Sequence, residues 1–412
     1  MVVEERRQAA SSLLSPALRE YHAAFFPNSG VSPSTLPFVT YYGVSAETKA
    51  LEARTLTRAA FWEAAMRAAS AIRDAGLTTK GDCAVHFFSD NRLEDLVLRL
   101  ASVMCGTVPV TVNWQADTIE RVAYKIRATG AKVVFHDKGV SEEQLRSLRQ
   151  EFLDLKFLST ESMLSRYDPL PESEFCRTVD AQDTRIIIFT SGTTGDPKGV
   201  ALTFDSYACN QRTFESFLQL SDHSATTFVP FVANPFHHTN TTAITDWSLR
   251  RPGAHLHLLQ RYSTQYWRAL VGVVTGWTPH ISNGRLGCLN SRVLSNDSFG
   301  SSEEASLAAA MVTRRDAGVV VVAPLVSKHF DFLESLIEGT APAAKSDGPA
   351  FWSHVLPAAL ASRHLVVLFG SAPVGPTTVN RMRKYGGGRL PVGKLMLARL
   401  TAALLVGPVL FK

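Results

Sequence analysis

From Thr57 to Phe189, short apolar runs too brief for helices alternate with amphipathic segments of helical period. Thr57 is a good N-cap for a helix whose Phe61, Ala65, Ala69 and Ile72 recur on one face, and Gly76 marks its end. Cys83 to Phe88 reads as a buried strand, Leu93 to Met104 as a helix and Val108 to Val112 as a strand. Asp117 caps a helix that runs to Thr129 and stops at Gly130, Lys132 to Phe135 is a strand and Glu142 to Leu153 a helix. Arg185 to Phe189 closes the series as a strand. Strands apolar on both faces need cover on both sides, so the pattern predicts an α/β fold with a mostly parallel sheet and helices on each face. Ligands of such sheets sit at the carboxyl ends of the strands.

At that end of the last strand stands Thr190-Ser191-Gly192-Thr193-Thr194-Gly195-Asp196-Pro197-Lys198-Gly199. Small residues let the backbone approach a polyphosphate, hydroxyls and amides donate to its oxygens, and a lysine adds positive charge. The P-loop of kinases and GTPases needs a glycine directly before the lysine and a hydroxyl directly after it. Pro197 and Gly199 occupy those places, so that pattern fails twice.

The ten residues resemble, almost letter for letter, the TSGTTGxPKG signature of the adenylate-forming superfamily, which holds acyl-CoA synthetases, peptide-synthetase adenylation domains and luciferases. The resemblance extends over most of residues 50 to 385. It implies a layered α/β sandwich of two mostly parallel sheets, with one subdomain over about 78–205 and a second built from about 1–77 plus 206–392. The implied reaction is attack of a small carboxylic acid on the α-phosphorus of ATP, giving an acyl-adenylate and pyrophosphate, followed by acyl transfer to a thiol such as that of CoA. Thr190, Ser191, Thr193 and Thr194 then suit phosphate hydrogen bonds, Gly192 and Gly195 permit the close turn, and Lys198 suits the β- and γ-phosphates.

Two further elements follow in family order. Asn234-Pro235-Phe236-His237-His238-Thr239-Asn240 resembles the P-x-x-H element, whose histidine lies beside the acyl and nucleotide sites. Counting from Pro235 selects His238, while His237 stands where the family often has an aromatic ring. Gly370-Ser371-Ala372-Pro373, after the apolar strand Leu365 to Phe369, resembles the element whose backbone packs on adenine.

The later family elements are not found. After Tyr385 the chain turns into Gly386-Gly387-Gly388-Arg389-Leu390-Pro391-Val392 and an apolar tail, 393–412, without a Y-G-x-T-E sequence. No Asp or Glu follows Asp347, so the glutamate that helps hold Mg2+ and the ribose-binding aspartate have no counterpart, and no residue is assigned to a metal. The small C-terminal domain is missing too, as in a truncated family member. Two readings stand: an enzyme, or a nucleotide- or acyl-binding fragment without turnover. The tail reads either as replacement sequence or as a helix docked on the core.

Composition narrows the partners. The net charge is +5, yet the residues after Asp347 alone carry +8, so residues 1–347 carry −3. The excess is not a basic face interleaved with aromatics, and a nucleic-acid partner is not expected. Five widely spaced cysteines without a C-x-x-C pair suit a reducing compartment, and no apolar run reaches the eighteen or so residues of a membrane span. A cytoplasmic location is expected. Residues 271–300 pass from Val271-Gly272-Val273-Val274 into Ser/Asn/Gly-rich sequence without period and read as a flexible insertion.

Overall fold

The computed structural model describes residues 14–27, 32–45, 47, 51–161, 163–190, 197–218, 220, 227–274, 280–282, 285–287, 319–346, 351–360, 362, 365–369, 380, 381, 384, 410 and 411. The chain begins with helix α1 (Pro16–Phe25), whose N-cap Ser15 accepts from the Leu18 amide. An antiparallel pair follows, β1 (Pro37–Val44) with β2 (Leu51–Thr57). Helix α2 (Arg58–Asp74) starts at Thr57, whose hydroxyl accepts from the Ala60 amide at 3.2 Å, and it buries Phe61, Ala65, Ala69 and Ile72.

The alternating stretch then folds as its pattern requires. It runs β3 (Cys83–Phe87), α3 (Leu93–Cys105), β4 (Val108–Thr111), α4 (Ile119–Thr129), β5 (Val133–His136), α5 (Glu142–Glu151), β6 (Lys156–Ser159) and β7 (Thr184–Phe189). Strand β8 (Gly199–Thr203) returns antiparallel to β7, and α6 (Phe204–Phe217) follows. Next come β9 (Thr227–Val232), α7 (Thr239–Arg250), β10 (Leu256–Leu259), α8 (Gln265–Val274), the small pair β11 (His280–Ser282) and β12 (Arg285–Gly287), and β13 (Val319–Leu325). Helices α9 (Ser327–Ile337) and α10 (Leu356–Leu360) precede β14 (Leu365–Phe369), and β15 (Leu410–Phe411) ends the series.

Two large sheets result. One has the order β15-β8-β7-β4-β3-β5-β6, parallel from β7 to β6, and the other β14-β13-β9-β10-β1-β2, parallel apart from β2. The largest core cluster lies between them: α2 and α3 pack with Ala84, Val133 and Phe135 from one sheet and Phe38, Val39, Leu256 and Leu258 from the other. Helix α3 is accordingly buried all round except at Glu94. A sandwiched helix has no solvent face, which is why its apolar residues show no stripe. Among the described residues no helix is long and apolar enough to cross a membrane.

Two sequence expectations need correction. Thr118, not Asp117, is the N-cap of α4, without a side-chain cap bond. The Asp117 carboxylate is taken by the Asn113 amide at 2.7 Å and the buried Lys125 ammonium, and an ion pair outcompetes a neutral cap. Val271–Val274 is not part of an insertion: it finishes α8, buried with Tyr266, Trp267 and Leu270 against the six-stranded sheet. Of the tail, Leu410 and Phe411 pair antiparallel with the free edge of β8, and 393–409 lie outside the described residues. Residues 275–279, 283, 284, 288–300 and 385–409 lie outside the described residues.

Candidate active site

The glycine loop leaves one arm of a hairpin and enters the other. Phe189 of β7 pairs with Gly199 of β8, and one step further the Thr190 amide donates to the Lys198 carbonyl at 3.0 Å. The Lys198 amide donates in return to the Thr190 hydroxyl at 3.1 Å, so the loop is closed at its base. Lys198 itself is exposed, and its ammonium has no ion-pair partner among the described residues. Gly199 is needed here because a Cβ would stand 3.2 Å from Cζ of the Phe189 ring. The Lys125 ammonium lies over that ring, 5.0 Å from its centroid. Ser191, Gly192, Thr193, Thr194 and Gly195 lie outside the described residues, as do Gly370, Ser371, Ala372 and Pro373 just beyond β14.

The histidine pair stands at the carboxyl end of β9, in the turn that leads to α7. His238 is the N-cap of that helix: its amide donates to the Pro235 carbonyl at 3.0 Å and its carbonyl accepts from the Thr242 amide. Its half-buried imidazole forms no hydrogen bond among the described residues, and burial lowers its pKa, which keeps the ring neutral at pH 7. His237 behaves as the aromatic ring whose place it takes. It is 7% exposed, lies 4.4 Å from the His238 ring and edge-on to Trp114 at 6.1 Å, and neither of its nitrogens finds a partner. Burial, reinforced by His238 and by the cations Lys125 and Arg99, pushes its pKa down to about 2. Lys125 thus faces both the end of β7 and His237, so the structure brings the loop's base and the histidine turn to one place.

Sequence reading missed the residues that hold this turn. The Asn91 amide nitrogen faces the carbonyls of Asn234 and Leu259 at 3.1 Å and of Ala233 at 3.4 Å, and its oxygen accepts from the Phe236 amide at 2.9 Å. Asn234 in turn donates to the Pro324 carbonyl of β13. Arg99 donates to the Phe236 carbonyl at 3.2 Å and is itself fixed by Asp95, which also bonds His86 at 2.7 Å. Arg99 and His86 draw the Asp95 carboxyl down to about 2 against the upward push of burial. The available signal was polar residues inside otherwise apolar elements: His86 in β3, and Asp95 and Arg99 in α3.

Further along α7, Asp246 ties the helix to the strand that carries the loop. One of its oxygens accepts from Tyr21 and from Arg185 of β7, both at 2.9 Å, and the other from Arg250 at 2.9 Å. Ala243 of the same helix packs on Ile186, Ile188 and Leu202. Helix α7 thus runs antiparallel to β7, so His238 at its start and the base of the loop at the end of β7 stand at the same end of one buried connection.

Such an arrangement offers an exposed cation and hydroxyl at a strand end beside a neutral, unpartnered imidazole at a helix start. A polyphosphate suits the first, and an oxyanion or carbonyl suits the second.

Comparison with known proteins bears on the fold and the family. The chain is 29% identical over 176 residues to the D-alanine–D-alanyl carrier protein ligase of Bacillus licheniformis, which covers 42% of this chain and 30% of that protein. It is 27% identical over 168 residues to the 2-succinylbenzoate–CoA ligase of the same organism, covering 41% and 33%. The N-terminal domain of FACL13 from Mycobacterium tuberculosis superposes with a TM-score of 0.61 at 17% identity, over 91% of this chain and 74% of that one. The O-succinylbenzoate coenzyme A synthetase of Bacillus subtilis, solved with ATP and magnesium, gives 0.57 at 17% identity, over 91% and 58%. The matched segments span about a third of the length of those two ligases. The family model of AMP-binding enzymes matches residues 40–395, from β1 past β14 and across both sheets, and the chain belongs to that family.

Proposed function

We propose that this chain binds ATP through the loop from Thr190 to Lys198 and activates a small carboxylic acid as its acyl-adenylate, for transfer to a thiol such as that of CoA. The observation that carries this reading is the closed base of the loop, which leaves Lys198 exposed at the strand end while His238 stands neutral beside it. In this reading Thr190, Ser191, Gly192, Thr193, Thr194 and Gly195 wrap the phosphates, Lys198 offsets the charge of the departing pyrophosphate, and His238 orients the acid. Gly370 to Pro373 line the adenine. Magnesium supplies charge neutralisation at the phosphates when bound. In the same reading the chain divides into two subdomains, about 78–205 and about 1–77 with 206–392, a division supported by the membership of β3–β8 in one sheet and of β1, β2, β9, β10, β13 and β14 in the other. The four described cysteines, Cys83, Cys105, Cys176 and Cys209, are unpaired, which supports a cytoplasmic location.

A second reading has a specific observation in its favour. Residues 348–412 hold no Asp or Glu, so that stretch offers no carboxylate to magnesium or ribose, which favours binding of nucleotide or acid without turnover. Pyrophosphate release from Mg-ATP with a panel of carboxylic acids separates the two. Acid-dependent release supports the ligase. ATP binding by calorimetry without release supports the second reading, and absence of both overturns the assignment to this loop.

A further inference from the structure

Two strand exits meet on one side chain that itself follows a third strand. Asn91 follows β3, and its amide group touches the exits of β9, through Ala233, Asn234 and Phe236, and of β10, through Leu259. The backbone of Asn91 is pinned as well: its amide donates to the Gln260 carbonyl at 3.2 Å and its carbonyl accepts from the Tyr41 hydroxyl of β1 at 3.0 Å. The side chain is 1% exposed, and carbonyls on one side with an N–H on the other fix which end is oxygen. No other residue type of this size offers both a donor and an acceptor in one plane.

The turn held in this way carries two imidazoles that are not themselves held by hydrogen bonds. The side chain of His238 therefore takes its place from the backbone beneath it, and that backbone takes its place from Asn91. Arg99 adds a second tie at Phe236, but on the carbonyl only. Losing Asn91 would leave the Phe236 amide and three carbonyls without this partner in a buried place, where unpaired groups drive a backbone to move.

We infer that Asn91 is the positioning residue of the site, setting where the His238 imidazole stands by clamping the turn from Ala233 to Phe236. The inference rests on the proposed role of His238, but its first test does not need activity. In protein labelled with 13C-histidine, the His238 ring resonance is assigned by its loss in His238→Gln. Asn91→Ala is expected to shift or broaden that resonance at fixed pH and leave in place that of His354, exposed in the helical segment Phe351–Val355. Asn91→Asp provides a second variant: it is isosteric, keeps the acceptor for the Phe236 amide and turns an oxygen toward the three carbonyls, so the same displacement is expected. An unmoved His238 resonance in both folded variants, or an equal disturbance of His354, overturns the inference.

Where the wild type releases pyrophosphate, the enzymatic arm adds a second reading. Asn91→Ala should lower kcat by about 100-fold, the loss that a misplacement of about 1 Å brings, with KM for ATP nearly unchanged, and should have no further effect in a His238→Gln background. Equal losses in both backgrounds would show a merely structural role and overturn it. A wild type without pyrophosphate release would count against the ligase reading alone, since the resonance test still decides the role of Asn91.

Discussion

Thr190 and Lys198 hold each other by two hydrogen bonds, amide to carbonyl at 3.0 Å and amide to hydroxyl at 3.1 Å, and so close the neck of the glycine-rich loop. A closed neck lowers the conformational entropy that the loop must lose when it wraps an anion. Thr190→Val keeps the shape and the backbone bond but removes the hydroxyl. Because the pair is exposed, the fold should lose no more than about 1 kcal/mol, while ATP affinity falls by roughly five- to tenfold. Calorimetric titration with ATP, beside a thermal melt, checks both. Unchanged affinity would mean that the neck is closed by the β7–β8 hairpin alone.

Lys198→Ala separates chemistry from folding. The side chain is exposed and has no ion-pair partner among the described residues, so stability should change by less than about 0.5 kcal/mol. Removing a cation aimed at the developing pyrophosphate charge should slow acid-dependent pyrophosphate release by about 100-fold. A folded variant with the wild-type rate would remove Lys198 from the site.

Asp246→Asn tests the buried connection between the histidine helix and the loop strand. The carboxylate is charge partner to both Arg185 and Arg250, each nearly fully buried, and neutralising it leaves two cations undercompensated. Loss of a buried partner typically costs about 3–5 kcal/mol, a large share of a stability of about 5–15 kcal/mol. Urea unfolding reads the loss. Glu20→Gln is the contrast: it also pairs with Arg250, at 3.3 Å, but its side chain is 60% exposed, and the expected change stays below about 1 kcal/mol. Equal effects of the two would show that Asp246 is no anchor.

What the sequence discloses and what it hides divide along physical lines. The strands and helices from Thr57 to Phe189 follow from local pattern, since period, caps and Gly76, Gly106 and Gly130 at positive φ are all local properties. The loop and His238 stand out in the sequence because a short motif carries its own chemistry, and their roles stay proposals. The role of Asn91 was hidden, because its four side-chain partners come from two distant segments and no spacing along the chain encodes them. Asp117 misled for a related reason: a cap is a local preference, and the ion pair with Lys125, eight residues on and buried, is the stronger demand. Val271–Val274 read as the start of an insertion because Gly272 and the aperiodic sequence beyond it masked a helix whose burial comes from the sheet beneath.

His237 makes the stability of the fold depend on pH in a predictable direction. Its folded-state pKa of about 2 lies below the ordinary histidine value of about 6.5, so between those values the unfolded chain holds one more proton than the folded one. Stability therefore rises with pH across that window and is lost as pH falls below about 6.5, by up to roughly 1.4 kcal/mol per pH unit from this residue. Going from pH 7 to pH 5 should cost about 2 kcal/mol through His237. His237→Phe keeps a ring against Trp114 and His238 but cannot take a proton, and it leaves no nitrogen without a partner. Urea unfolding at the two pH values should show the variant losing about 2 kcal/mol less than the wild type. The difference between the proteins is the quantity to read, because His86, His136, His238 and His329 also have lowered pKa values and contribute slopes common to both. Parallel losses in the two proteins would mean that the His237 imidazole reaches water or a proton acceptor, and its placement as a buried neutral ring would fall.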